Sequence, residues 1–99
     1  MVERGHILTL LQESIQSLRR SGIIEAEIDV DSETVLLGTG SSLDSMGFVT
    51  FVTDVEERLN RETGQDLYIV LTDLEERFPG APALTASMFA DYLVALTST

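Results

Sequence analysis

Cysteine is absent from the 99 residues, which excludes disulfides, thiolate catalysis and thiolate-bound zinc. Lysine is absent as well. Six arginines stand against 17 acidic residues, for a formal net charge of -11 and a pI of about 4.1. Such a surface repels nucleic acid and anionic membranes and attracts a basic protein partner. The same charge also keeps a protein dissolved, so it singles out no function by itself. Long apolar runs are missing: the densest, Leu67 to Leu71, is far too short to cross a bilayer. The start, Met1-Val2-Glu3-Arg4-Gly5-His6, has neither the basic opening nor the apolar stretch of a signal peptide. A soluble, cytoplasmic and monomeric chain is expected, and the Met1 start points to a free-standing one. What is present is 43% hydrophobic residues, enough to pack one core. The length fits a single domain over 1–99, with little room for a deep enclosed active site.

Four helical segments can be read, with no internal repeat or linker. Ile7, Leu8, Leu11, Ile15 and Leu18 recur at helical spacing and predict a first helix over 3–20. Arg19 and Arg20 suit the negative end of its dipole, and Ser21-Gly22 stops it. Residues 23–44 form a long connection carrying Gly38 and Gly40 and scattered apolar residues, among them Ile28, Val30, Val35, Leu36 and Leu37. Connections of this length inside one domain are unusual and often functional. Its apolar residues should tuck onto the helices, with a short local hairpin as the alternative.

The second helix is expected over 45–62, with Phe48, Val49, Val52, Val55 and Leu59 on its apolar side and Phe51 at the edge. Thr50, Asp54, Glu57, Arg58 and Arg61 fall on the other side, and Gly64 supplies the stop. A short third helix is expected over 72–78, where Thr72 and Glu75 have capping-box spacing and Pro79-Gly80 follows. Pro82 keeps the next stretch irregular. The fourth helix should span 86–96, capped by Thr85, with Met88, Phe89, Tyr92, Leu93 and Leu96 inward. Leu67 to Leu71 could pass for a strand but has no evident partner. The chain therefore reads as all-α, four helices around one core.

Leu43-Asp44-Ser45-Met46-Gly47-Phe48-Val49 stands at the mouth of the second helix. Asp44 can cap that helix, accepting from the free N–H groups of its first turn. The Ser45 hydroxyl is then left unused and directed outward. An anionic group joined to it, such as a phosphodiester, would sit at the positive end of the helix dipole. On spacing alone, a serine before a helix is more often a plain cap. Gly47 costs roughly 1 kcal/mol against alanine inside a helix. Either it lets a partner or a bound group approach closely, or the first turn simply tolerates it.

Leu43 to Phe48, LDSMGF, opening an acidic amphipathic helix, resembles the attachment site of acyl carrier proteins and related carrier domains. In that family the serine carries 4'-phosphopantetheine, transferred from coenzyme A by a phosphopantetheinyl transferase. The thiol of the arm holds acyl or aminoacyl groups as thioesters. The resemblance implies an all-α fold, a four-helix bundle of acyl-carrier type with a long first loop and a short third helix. It implies Ser45 as the attachment point and Asp44 as its flanking acid. Met46 stands where leucine is commoner, an apolar exchange of the tolerated kind. Glu56 and Glu57 match acidic positions that the family presents to partner enzymes. Together with Met46 and Asp54, which projects from the outer side of the same helix, they make the expected docking face. The implied partners are acyl- or aminoacyl-loading and processing enzymes with basic patches, in fatty acid, polyketide or nonribosomal peptide biosynthesis. Thr50 departs from the glutamate of many fatty-acid carriers, and the stretch 65–84 is longer than in the simplest members. The LDSMG form is similar to D-alanyl carrier proteins, but one pentapeptide does not decide the cargo.

Other constellations are incomplete. Asp31-Ser32 is a second Asp-Ser pair, but no amphipathic helix begins there. Asp29, Asp31 and Glu33 alternate like the start of a calcium loop, yet its sixth-position glycine and twelfth-position glutamate are missing. Gly38-Thr39-Gly40-Ser41-Ser42 has no lysine to make a phosphate loop. His6 is the sole histidine, without a second typical metal ligand or a triad around it. The chain reads as a carrier and not an enzyme, its reactive chemistry belonging to the prosthetic arm. The competing reading is an unmodified acidic helical adaptor that docks basic partners.

Overall fold

A computed structural model of the chain describes residues 3–24, 28–31, 33–38, 43–78 and 83–97, the side chains of Ser45, Leu71 and Glu75 excepted. The first helix, α1 (Arg4–Arg20), buries Ile7, Leu10, Leu11, Ile15 and Leu18. Its end is a two-bond wrap around Gly22, at φ 79°. The Gly22 N–H donates to Arg19 O at 3.1 Å and the Ile23 N–H to Leu18 O at 3.0 Å. This satisfies carbonyls that the helix leaves open, in a conformation that favours glycine.

The long connection then runs back along α1. Gln12 brackets it, its Nε2 donating to Ile28 O at 3.0 Å and its Oε1 accepting from Val30 N–H at 2.6 Å. One side-chain amide thus pairs backbone groups that have no helix or sheet to bond them. Further on, β1 (Val35–Gly38) pairs antiparallel with β2 (Ala83–Thr85). Val35 stands opposite Thr85 and Gly38 opposite Ala83, with a bulge between Val35 and Leu37.

This sheet corrects the all-α expectation. Among the described residues four helices are present, but the architecture is mixed, and β1 pairs with β2 and not within a local hairpin. The physical reason is that Leu36 must bury its side chain, at 1% exposure. Its flanking backbone then needs partners. Those partners come from the residues just before the last helix, far along the chain. The Ala86 N–H extends the junction by donating to Thr34 O at 2.7 Å.

The second helix, α2 (Ser45–Thr63), ends at Gly64. Its core side is rotated from the expected one: Phe51 is fully buried, whereas Val49 is 52% exposed. At 100° per residue, Phe48, Phe51, Val52, Val55 and Leu59 make a better centred stripe than one including Val49. Phe51 meets Phe89 with ring centroids 6.0 Å apart and planes tilted by 50°, an arrangement aromatic pairs favour.

Residues 65–70 belong to no helix or strand, with Leu67 and Ile69 turned toward the core and Tyr68 and Val70 exposed. Asn60 exchanges two hydrogen bonds with the backbone of Leu67, at 2.7 and 3.0 Å. Glu56 Oε2 accepts from Ile69 N–H at 2.8 Å, and the buried Tyr92 hydroxyl from Val70 N–H at 3.3 Å. The strand-like stretch is therefore fastened by side chains and not by another strand.

The third helix, α3 (Leu71–Arg77), begins after Val70 without a side-chain cap. Thr72 lies inside it, so the expected capping role is not Thr72's; the Glu75 side chain and Pro79, Gly80 and Pro82 lie outside the described residues. The fourth helix, α4 (Ala86–Thr97), starts with Thr85 Oγ1 accepting from Met88 N–H at 3.2 Å, as the sequence implied. Phe89, Tyr92 and Leu93 are buried, while Met88 and Leu96 are half-buried. Among the described residues, no helix is long and apolar enough to cross a membrane.

Candidate functional site

The mouth of α2 is built by two converging stretches of chain. Helices α1 and α2 run antiparallel: His6 pairs with Glu62 at 2.5 Å near one end, and Glu13 with Arg58 at 3.6 Å further along. The connection leaving α1 therefore arrives where α2 begins. Asp44 takes an extended conformation there, φ -83° and ψ 179°. Its Oδ1 accepts from Gly47 N–H at 2.6 Å, and its carbonyl accepts from Phe48 N–H at 2.9 Å. Asp44 is thus the cap the sequence implied, and Ser45 is the first residue of the helix proper. The outward direction expected of the Ser45 hydroxyl falls on a side chain outside the described part of the structure. Among the described residues the Met46 N–H, next in the turn, has no acceptor.

The two readings of Gly47 are replaced by a third. A β-carbon there would lie 3.0 Å from Asp44 Oδ1, 3.6 Å from Ile24 Cγ2 and 3.9 Å from Leu43 Cδ2. The space beside Gly47 is filled by the chain itself and not left for a visitor.

The expected docking residues separate into two groups. Met46 is 81% exposed, and Glu57 is exposed. Asp54, by contrast, is only 23% exposed and binds Arg58 Nε at 2.6 Å. Glu56 is engaged with Ile69 N–H. The open line along α2 is therefore Met46, Val49, Thr53 and Glu57, residues that recur at helical spacing on one face. Val49 was assigned to the core from the sequence and is instead a surface neighbour of Met46. The signal that could have found it is Phe51, whose inclusion in the stripe turns Val49 outward.

Other candidate chemistry does not assemble. His6 sits beside Glu62, at the far end of α2 from Ser45. Along α2 Ser45 and Glu62 lie about 26 Å apart, so no Ser-His-Asp set forms there. Asp31 Oδ1 accepts from the Glu33 N–H and the Thr34 hydroxyl, at 2.9 and 3.2 Å, in a local turn. Ser32, of the second Asp-Ser pair, lies outside the described residues, as do Thr39 to Ser42. Among the described residues, no three His, Asp or Glu side chains are grouped to hold a metal ion.

In comparisons with family models, with curated proteins and with solved structures, no match to this chain was found.

Proposed function

We propose that the chain is a cytoplasmic carrier protein that holds acyl or aminoacyl groups as thioesters on a 4'-phosphopantetheine arm at Ser45. The observation that carries this reading is the division of labour at the mouth of α2. The side chain that caps the helix is Asp44, through Gly47 N–H, so Ser45 is not needed as the cap. That removes the commonest alternative use of a serine in this position. The residues present suit the group. Ser45 would bear the phosphodiester, and the first-turn N–H groups and dipole of a helix favour negative charge beside it. The arm, when attached, supplies a thiol to a chain that has no cysteine of its own.

The surface around the site supports delivery to partner enzymes. Met46 and Val49 offer apolar contact next to Ser45, and Glu57 offers a charge further along the same face. A basic partner would be steered by the net charge of -11. The exposed pair Met46 and Val49 also favours a second reading, an unmodified acidic adaptor that docks basic proteins through the same face. Intact mass after incubation with coenzyme A and a promiscuous phosphopantetheinyl transferase separates the two, since only the carrier gains the mass of the arm.

A further inference from the structure

We infer that Ile24 and Gly47 form a positioning contact that sets the first turn of α2 for modification, an inference that rests on Ser45 as the attachment point. Ile24 lies two residues beyond the Gly22 turn that ends α1 and is 7% exposed. Its Cγ2 approaches the position that a Gly47 β-carbon would take to 3.6 Å. The Asp44 cap carboxylate approaches the same position to 3.0 Å while accepting the Gly47 N–H at 2.6 Å. A β-carbon there would meet Ile24 at ordinary van der Waals distance, but the cap carboxylate would have to give by a few tenths of an ångström. The cap and the incoming connection are therefore seated together on the turn that Ser45 opens. Further along the connection, Gln12 holds the backbone of Ile28 and Val30. One flank of the mouth is closed by Ile24 and Leu43, and Met46 and Val49 leave another open. A transferase must approach by the open flank, and the contact fixes how the helix end is presented to it.

The residues act through Ser45 and not on coenzyme A, so the test needs more than an activity loss. Gly47→Ala inserts the better helix former and crowds the cap carboxylate at once. It should keep a cooperative melt near the wild-type temperature. Its kcat/KM for loading from coenzyme A by a phosphopantetheinyl transferase should fall about tenfold, the scale of a small misplacement at a reacting group. Ile24→Ala should also slow loading and speed hydrogen exchange of the Gly47 and Phe48 amides, and Ile24→Val should restore most of both. Wild-type loading rates in Gly47→Ala and Ile24→Ala would overturn the inference. So would losses that track melting temperature alone and are not restored by valine. Failure of the wild type to load would instead overturn the reading of Ser45.

Discussion

The Glu56 carboxylate accepts the backbone N–H of Ile69 at 2.8 Å, fastening the segment 65–70 to the flank of α2. A residue expected to face partners is thus committed to its own chain. Glu56→Ala should leave the Ile69 N–H without its acceptor and cost about 1.5–3 kcal/mol, the range for hydrogen bonds to charged groups. Glu56→Gln, which keeps an acceptor oxygen, should cost less. Urea unfolding of the two variants checks the order; equal stabilities would mean that the bond contributes nothing.

Ser14 is fully buried among leucines and isoleucines of α1, and its hydroxyl has no hydrogen-bond partner among the described residues. An unpaired buried hydroxyl is costly, and alanine is the better helix former. Ser14→Ala should stabilise the protein by about 1 kcal/mol. That corresponds to a rise in melting temperature of roughly 4–8 °C at this chain length. A lower melting temperature would show that the hydroxyl is satisfied in solution.

Asp54 and Glu57 should behave differently although both are acids on α2. Asp54→Arg removes the partner of Arg58 and places two cations one turn apart, so it should destabilise by about 0.5–1 kcal/mol. Glu57→Arg alters an exposed charge and should stay within about 0.5 kcal/mol of wild type. Only Glu57→Arg should slow transferase loading at low salt without a change in melting temperature. Unchanged loading in that variant would remove Glu57 from the docking face.

The helices were legible because their apolar residues recur at helical spacing, and the cap at Asp44 because an acid directly precedes such a run. The sheet was not legible: β2 has three residues and pairs with a strand far away in the chain, so no turn signal joins them. The exchange of Val49 for Phe51 arose because both border the apolar stripe, and only the packing of α4 against Phe51 decides between them. Glu56 looked free because its acceptor role toward Ile69 depends on how the segment after α2 folds back. The attachment candidate was readable as a motif, and the closing of its flank by Ile24 was not, since nothing local links residues 24 and 47.

Self-repulsion should weigh on a chain with a net charge of -11. Moderate salt should raise the melting temperature gradually, as screening weakens that repulsion. Millimolar divalent cations should act in the same broad manner. A sharp stoichiometric transition with calcium would point instead to a specific cation site.

The central claim is that Ser45 is the carrier serine. Intact mass spectrometry after incubation with coenzyme A and a promiscuous phosphopantetheinyl transferase, followed by peptide mapping, tests it most directly. The expected result is one added phosphopantetheinyl group, located on Ser45, and none on a folded Ser45→Ala variant. No added group on the wild type, or a group located on Ser32 or any other serine, would contradict the account.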